Sequence, residues 1–253
     1  MVSRVHDPGI KPGRQLIQGI GLVRKLGLIG GMNWKSTLIY LELIYRGVQR
    51  RTTMHTTAPL MLESVNFGEL EGLSEGRNWE AATDLIIGAA RRLEQSGAQG
   101  LLICANAMHK HYDRISGQVG IPILHAADCL GLRMAREGVS GVALIGPRSV
   151  MTESFFRERL VAQGIDLLPP DMENVEAINR IIYEELMVGK ASREAQRMLK
   201  SIITQKEQAG AKAIVLACTE LELVVDIDAN VLPIFDSTRI HCDAAVDWML
   251  GAD

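Results

Sequence analysis

Seven short aliphatic runs, separated by longer helical patterns, constrain the fold of this chain more than any other feature. Each run is continuously apolar and is bounded by Gly or Pro, which indicates strands that are covered on both faces. Such strands form parallel sheets with helices between them, so the predicted class is α/β with mostly parallel sheets. From residue 25 onward the runs read KLGLIGGM, PLMLESV, GLLICAN, IPILH, GVALIG, AIVLACT and LPIF, and helices are predicted over 35–50, 79–95, 153–161, 173–187, 193–208 and 237–250.

The second half of the sequence echoes the first. GLIGGM at 27–32 resembles VALIGP at 142–147, and SGAQGLLICAN at 96–106 resembles AGAKAIVLACT at 209–219. The spacing repeats as well, since 74 residues separate Gly30 from Cys104 and 72 separate Gly146 from Cys218. Each cysteine strand is followed by a Pro-Ile strand. We therefore predict two halves built alike, with a one-residue slip between 97–104 and 210–218.

Composition and charge exclude several classes of protein. With 27 Lys and Arg against 30 Asp and Glu, nothing indicates a nucleic-acid-binding surface. No uncharged apolar stretch approaches the roughly 20 residues that span a bilayer, so no membrane association is expected. Residues 1–24 lack the apolar core of a signal peptide and are predicted to form a flexible N-terminal extension. The four cysteines lack CxxC spacing, which argues against structural zinc and favours reduced thiols in the cytoplasm.

Cys104 and Cys218 end two matched strands, at the edge where parallel sheets collect ligands. If the halves face each other about a pseudo-twofold axis, the two sulfurs approach one ligand from opposite sides. Inversion of a carbon acid needs this arrangement, because one group removes a proton from one face and the other delivers a proton to the opposite face. A thiolate and a thiol can do so. Buried apolar cysteines are the plainer interpretation, which we keep for Cys129 and Cys242.

Polar residues near the two cysteines are candidates for binding a small zwitterion. Asn106, Thr219 and Glu220 offer hydrogen-bonding groups, and Glu220 is predicted to contact a substrate ammonium group. Backbone N–H groups at the following helix N-termini are suited to a carboxylate. Met32 and Asn33, in the glycine loop before the first helix, are predicted to contribute in the same way, although the loop has no dinucleotide or NTP pattern.

These motifs together resemble the aspartate/glutamate racemase family, and most closely its bacterial broad-specificity amino-acid racemases. The resemblance covers essentially residues 25–250, and the two cysteine motifs in order are its most specific part. It implies an enzyme that needs no cofactor, neither pyridoxal phosphate nor a metal, in which Cys104 and Cys218 act as the acid/base pair on an amino-acid substrate. The motifs are GLIGGMNWKST, CANAMHK, IPILH, INRIIYEEL, ACTELELV and LPIFDSTRIHCDAAVDWML.

The resemblance also implies how the chain is threaded. Two pseudosymmetric Rossmann-like domains hold the active site between them, and the C-terminal segment returns to complete the first domain. On this basis domain 1 comprises 25–117 and 229–253, and domain 2 comprises 118–228. Because family members are often dimers, a homodimer is expected.

The chain departs from the family pattern at several hydroxyl positions. Close members commonly read C-T-N-T-M-H at the first cysteine, where this chain has Ala105 and Ala107, and G-T-x-x-T-M where it has GPRSVM at 146–151. Ala107 is still expected to line the substrate site. Each lost hydroxyl removes a hydrogen bond worth about 0.5–1.5 kcal/mol, and the identity of the substrate therefore stays open.

Arg51 matches a family arginine that engages the side-chain carboxylate in acidic-amino-acid racemases, and a guanidinium can bind a carboxylate bidentately. The family's usual Gly-Gly after it is replaced by two threonines, and a solvated arginine at a helix end is an equal alternative. His109 and His241 are interpreted as structural histidines in preference to groups that lower a thiol pKa. Asp236 and Thr238 are predicted to cap the last helix rather than to join the site.

Other functions fit parts of the sequence. Hydantoin racemases keep both cysteines, and only a substrate screen separates them from amino-acid racemases. Maleate isomerases share the expected fold, as do arylmalonate decarboxylases, but the decarboxylases are expected to need one cysteine rather than two. A noncatalytic small-ligand-binding protein would not need a thiol at both strand ends. A dithiol redox sensor predicts a disulfide between Cys104 and Cys218 and no exchange of an amino-acid α-proton with solvent.

Overall fold

The computed structural model describes residues 23–75, 78–228 and 230–252. None of the helices in these ranges is both long and apolar enough to cross a membrane. Two 3₁₀ turns, Asn106–His111 and Thr219–Leu223, and one π-helical turn, Ile181–Leu186, accompany the main elements. The strands and α-helices, in chain order, are β1 Leu26–Gly30, α1 Trp34–Arg51, β2 Leu60–Ser64, α2 Phe67–Glu75, α3 Trp79–Gln95, β3 Gly100–Ile103, α4 Tyr112–Ser116, β4 Ile123–Leu124, α5 Ala126–Arg136, β5 Val142–Ile145, α6 Arg148–Thr152, α7 Ser154–Ala162, α8 Met172–Arg180, α9 Arg193–Gln208, β6 Ala213–Leu216, β7 Ile234–Asp236 and α10 Ser237–Leu250.

The strands form two parallel sheets. The first has the order β2-β1-β3-β4 and the second the order β5-β6-β7. Every residue of β1, β3, β5 and β6 is buried, because helices cover both faces of the sheets, as continuous apolar strands require. The predicted α/β class with mostly parallel sheets is confirmed, and each aliphatic run contains a strand.

The two sheets repeat one arrangement. In the first sheet β3 lies between β1 and β4, and in the second β6 lies between β5 and β7. The echo in the sequence therefore corresponds to matching sets of three strands, with β2 added at the edge of the first sheet. Thus β3 and β6, whose carboxyl ends carry the two cysteine motifs, are the central strands of the two matching sets.

The sheet pairings correct the predicted domain boundaries. The boundary after residue 117 assigned β4 to domain 2, yet β4 pairs with β3 in the first sheet. The boundary after residue 228 assigned β7 to domain 1, yet β7 pairs with β6 in the second sheet. Helix α5 packs on the second sheet and α10 on the first. The chain therefore changes sheets directly after β4 and directly after β7, because each Pro-Ile strand extends the sheet that precedes it.

The predicted helices are found with small changes at their ends. Those at 79–95, 193–208 and 237–250 coincide with α3, α9 and α10, and that at 35–50 is one residue longer at each end. The helix predicted over 173–187 is α8 followed by the π-helical turn. The backbone widens at that turn, but the apolar face continues through it, so the sequence pattern shows one helix. Helices α2, α4, α5 and α6 were not assigned from the sequence.

The predicted N-terminal extension, 1–24, lies outside the described residues except for its last two. Arg24 contacts α10 there: its backbone N–H donates to the carbonyl of Met249 across 2.9 Å, and its guanidinium donates to the carbonyl of Trp248 across 3.0 Å. The same guanidinium lies 5.2 Å from the Trp248 ring centre. The end of this segment is therefore part of the first domain.

Candidate active site

The two matched cysteines line one small cavity at the junction of the two sheets. Cys104 directly follows β3 and is 2% exposed, whereas Cys218 lies two residues beyond β6 and is partly exposed to the cavity. The cavity has a volume of about 70 Å³. All the predicted site residues except Arg51 line it, namely Met32, Asn33, Cys104, Asn106, Ala107, Cys218, Thr219 and Glu220.

The cysteines do not occupy equivalent backbone positions. The N–H of Cys104 donates to the carbonyl of Ile29, whereas in the second sheet the N–H of Ala217 donates to the matching carbonyl of Ile145. Cys218 instead corresponds to Ala105, since both residues are extended (φ −154°) and both precede a 3₁₀ turn. The one-residue slip predicted from the sequence is therefore a real offset of the second thiol.

The glycine loop brings the start of α1 to the cavity. Gly31 has φ +85°, and a Cβ there would lie 2.1 Å from the Val65 carbonyl oxygen, so the turn requires glycine. The side chain of Asn33 then caps α1 by accepting from the N–H of Lys35. Asn33 is thereby held with its amide group directed across the junction toward the second sheet.

Glu220 is the centre of a buried polar network that joins the two domains. Its carboxylate accepts from Asn33 Nδ2 at 2.5 Å and from Ser36 Oγ at 2.8 Å, both from the first domain. It also accepts from Thr219 Oγ1 at 2.8 Å and from Cys218 Sγ at 2.9 Å. A carboxylate buried among four donors is satisfied and fixed in place.

Burial favours the neutral form of both thiols. Burial raises the pKa of Cys104 well above its usual value. Burial and the neighbouring Glu220 carboxylate raise the pKa of Cys218. In both cases the largest cause is desolvation, which disfavours an anion in an enclosed site.

Two buried polar atoms in the cavity wall lack a hydrogen-bond partner. Asn106 donates from Nδ2 to Ser237 Oγ across 2.7 Å, which leaves Oδ1 unpaired. The hydroxyl of Thr238, which also lines the cavity, has no partner either. Because unsatisfied buried polar groups are rare, these two atoms are suited to a polar ligand. Asp236 caps α10 as predicted, whereas Thr238, which the sequence analysis left out of the site, lines the cavity.

The histidines near the first cysteine support the crossing from β4 to α5. His109 Nε2 accepts from the N–H of Ala126, and His125 Nδ1 accepts from the N–H of Ala127. His241 Nε2 donates to the carbonyl of Leu124. Burial lowers the pKa of His109 to about 4 and that of His241 to about 3, so both rings are neutral. The structural interpretation of these two histidines agrees with these contacts.

Tyr40 connects this histidine cluster to the cavity. Because His241 donates through Nε2, its Nδ1 accepts from the Tyr40 hydroxyl across 3.0 Å. Tyr40 also lines the cavity. The other two cysteines do not line the cavity: Cys242 packs in the core between α1 and α10, and Cys129 lies on α5.

The structure does not bring Arg51 to the cavity. It ends α1, about 17 Å along the helix axis from Tyr40, the last residue of α1 that lines the cavity. Its guanidinium lies 2.8 Å from Asp247 Oδ1 and 3.4 Å from Asp243 Oδ1, both on α10. In this structure Arg51 pairs with α10 and does not line the cavity, as the helix-end interpretation predicts.

Several cavity residues were not assigned from the sequence. Ser36 lies one helical turn after Asn33 and was detectable from that spacing. Tyr183 lies in the INRIIYEEL motif, where the π-helical turn faces the cavity, and such turns are frequent at functional sites. Among the described residues, no group of three or more His, Cys, Asp or Glu side chains could hold a metal ion.

Comparisons with known proteins agree on one family. A sequence model of the Asp/Glu/hydantoin racemase family matches residues 29–245. The broad-specificity amino-acid racemase RacX of Bacillus subtilis (strain 168) is 24% identical over 166 residues, which cover 66% of this chain and 71% of RacX. The crystal structure of a candidate Asp/Glu racemase from Yersinia pestis matches with 38% identity and a TM-score of 0.85, covering 90% of this chain and 99% of that one. An aspartate racemase homologue from Pyrococcus horikoshii OT3 matches with 30% identity and a TM-score of 0.77, covering 89% and 99%.

Proposed function

Because this chain belongs to the Asp/Glu/hydantoin racemase family, we propose that it is an amino-acid racemase that inverts the α-carbon by two-base proton transfer between Cys104 and Cys218. The observation that carries the proposal is that both thiols line one cavity. They reach it from different sheets, so a small ligand held there has one sulfur from each domain.

The proton balance uses both cysteines in opposite states. A thiolate at one cysteine takes the α-proton and becomes a thiol, and the electron pair stays on the planar carbanion. The thiol of the other cysteine gives its proton to the opposite face and becomes a thiolate. The two sulfurs have then exchanged roles, so the enantiomer that has been formed meets the arrangement needed for the reverse reaction.

Glu220 supports the formation of the first thiolate at Cys218. The Cys218 thiol donates to Glu220 Oε2, so the carboxylate is positioned to accept that proton. The net charge of the cavity does not change in this transfer, which avoids placing a thiolate beside a carboxylate. A substrate ammonium group nearby favours the thiolate further, because opposite charges lower a thiol pKa. We assign Glu220 this role in addition to its predicted contact with the ammonium group.

The unpaired atoms of the wall are suited to the two ends of a zwitterion. Asn106 Oδ1 accepts from an ammonium group, and the Thr238 hydroxyl donates to a carboxylate. The first N–H groups of the two 3₁₀ turns, which have no acceptor inside the turn, are further donors for the carboxylate. As charge moves from the α-carbon onto the carboxylate, fixed donors of this kind stabilise it.

The reaction is proposed to need no pyridoxal phosphate or other cofactor, as the family resemblance implies. Without an imine, the stabilisation of the carbanion comes from fixed donors and from a cavity that excludes water. We further propose that the protein works in the cytoplasm as a homodimer. Its four cysteines are free, as a reducing compartment requires. Light scattering after size-exclusion chromatography tests the oligomeric state.

Exchange in heavy water tests the mechanism. The protein is incubated with single amino-acid enantiomers without added cofactor, the loss of the α-proton signal is followed by NMR, and inversion is followed by chiral chromatography. Cys104→Ala and Cys218→Ala should each abolish inversion and leave, at most, exchange on one enantiomer. Cys129→Ala, at a cysteine that does not line the cavity, is the control and should keep full activity. Full racemisation by either site variant would contradict the proposal.

The family description also names hydantoin as a substrate, and the cavity holds both thiols that such a reaction requires. A panel that includes 5-substituted hydantoins beside amino acids separates the two activities. Exchange on hydantoins alone would replace the amino-acid assignment while keeping the two-cysteine mechanism.

A further inference from the structure

A second, larger cavity adjoins the thiol cavity on the outer side. We refer to it as the vestibule; it has a volume of about 490 Å³, within the range of small-molecule pockets. The two cavities share Phe67, Ala107, Met108 and Tyr183 in their walls. A molecule whose α-carbon lies between the thiols is therefore next to the vestibule, and a side chain directed past these four residues would enter it.

The walls of the vestibule expose aromatic surface. Trp79 is 43% exposed and Tyr183 is 44% exposed, and Phe67 and Leu70 continue the apolar wall. Large apolar side chains that remain exposed around a concave site commonly mark a binding surface. Their rings offer area for contact with an apolar or aromatic group.

The cations of the vestibule already have partners. Lys110 Nζ lies 3.5 Å from Glu153 Oε2 and 4.1 Å from the centre of the Trp79 ring. The guanidinium of Arg148 lies 2.5 Å from a carboxylate oxygen of Glu176. A side-chain carboxylate would have to compete with these acids, and the Glu71 carboxylate in the same wall repels it. A positively charged substrate side chain that approached the face of Trp79 would find Lys110 already there and would be repelled by it.

The passage between the two cavities has few hydrogen-bonding groups. Phe67, Ala107 and Met108 present no hydrogen-bonding side-chain group there, and Tyr183 presents only its hydroxyl. A polar side chain that passes through would lose its water for at most one partner, which is unfavourable. An apolar side chain gains free energy from the same transfer.

We propose that the vestibule is the side-chain subsite of this enzyme and that it selects amino acids with large uncharged apolar or aromatic side chains over acidic ones. This inference rests on the proposed function, because it takes the α-carbon to lie between Cys104 and Cys218. Phenylalanine and leucine represent the expected substrates. Alanine is the internal reference, since its methyl group does not reach the vestibule.

The first test measures binding without turnover. Calorimetric titrations of the C104S/C218S double variant use phenylalanine, leucine, alanine, aspartate, glutamate and lysine. Phenylalanine and leucine should bind at least about tenfold more tightly than alanine, and aspartate and glutamate no more tightly than alanine. Tighter binding of glutamate, aspartate or lysine than of phenylalanine would overturn the inference.

The second test removes the aromatic wall. Trp79→Ala should raise KM for phenylalanine about tenfold and leave the exchange of alanine unchanged. Tyr45→Ala is the matched control, because it removes a partly exposed aromatic side chain from α1, outside the vestibule. It should change neither the KM for phenylalanine nor the exchange of alanine. Equal effects of Trp79→Ala on phenylalanine and alanine would overturn the subsite, and circular dichroism checks that the variant is folded.

The two tests separate the inference from the function on which it rests. α-Proton exchange that favours acidic amino acids, and that is lost in the cysteine variants, would overturn the subsite and keep the racemase. Selective binding of phenylalanine without exchange on any amino acid would support the subsite and contradict the racemase.

Discussion

The Cys218 thiol donates a hydrogen bond to Oε2 of Glu220 across 2.9 Å. The same carboxylate is held from the first domain by Asn33 and Ser36. The proton acceptor of one thiol is therefore fixed by residues of both domains, and its position depends on how the domains meet. The contact between this carboxylate and the thiol is consequently supported by residues of both domains.

Glu220→Gln should lower kcat for racemisation by about 10²–10⁴-fold, the usual contribution of a positioned proton acceptor. The amide keeps the size of the side chain but cannot take up the thiol proton. Glu222→Gln is the matched control: Glu222 belongs to the same 3₁₀ turn but pairs with Arg239 outside the cavity. Steady-state kinetics of both variants decide, and wild-type kcat in Glu220→Gln would contradict the role.

The pH dependence of activity should differ between the wild type and Glu220→Gln. Because burial and Glu220 raise the pKa of Cys218, direct loss of its proton to water is unfavourable near neutrality. In the wild type the proton moves within the cavity, and kcat should be nearly flat between about pH 6 and 8. In Glu220→Gln the proton must leave to water, so kcat should rise about tenfold per pH unit. The same profile in both proteins would contradict the internal transfer.

Asn106→Ala should raise KM by about 10–100-fold, because it removes the Oδ1 acceptor proposed for the charged ammonium group. Ser237→Ala removes only the hydrogen bond that orients Asn106 and leaves Oδ1 in the wall, so its effect on KM should be smaller. Initial rates over a range of substrate concentrations measure both. A larger effect of Ser237→Ala would indicate that orientation, not contact, is the contribution of Asn106.

The free energy of unfolding should fall in acid through the buried histidines. His109 has a pKa of about 4 when folded against 6.5 as its ordinary value. Below pH 6.5 the unfolded chain therefore binds a proton that the folded chain does not. Stability is complete above that value and should fall by about 1.4 kcal/mol per pH unit for each such histidine, until the pH passes the folded pKa. Urea unfolding between about pH 7 and 4 measures the slope.

The histidine variants have distinct expected slopes. His109→Gln should lower stability at neutral pH, because the Ala105 carbonyl loses the ring Nδ1–H donor, but should also make the acid slope shallower. Exposed His55 provides the control, since His55→Gln should leave the slope unchanged. An unchanged slope in His109→Gln would show that acid unfolding arises elsewhere.

Arg51→Ala should leave kcat/KM unchanged and lower the free energy of unfolding by less than about 1 kcal/mol, as is usual for exposed ion pairs. Its side chain is 35% exposed and pairs with Asp243 and Asp247. Loss of activity in a folded variant would mean that Arg51 reaches the active site of a second copy of the chain. Kinetics together with thermal unfolding distinguish these outcomes.

The sequence was informative where local pattern and chemistry coincide. Continuous apolar runs must be covered on both faces, so the parallel strands and the ends of α3, α9 and α10 followed from pattern alone. Cys104 and Cys218 follow central strands of matching sets, and the carboxyl ends of parallel strands collect ligands. Asn33, Asn106 and Glu220 were found for the same reason, since they lie within two residues of a strand end or a helix start.

What the tertiary structure decided depends on contacts between residues far apart in the chain. A Pro-Ile strand has the same pattern in either sheet, so only pairing assigned β4 to the first sheet and β7 to the second. The sequence does not show how far Arg51 lies from the cavity, but the rise of α1 carries it to the opposite end of the sheet. Tyr183 becomes a neighbour of Trp79 and Ala107 only when the domains meet. Apolar patterning fixes which face of an element is buried, whereas packing between distant elements determines what covers that face. The candidate site depends on such packing, because it lies at the junction of the two sheets.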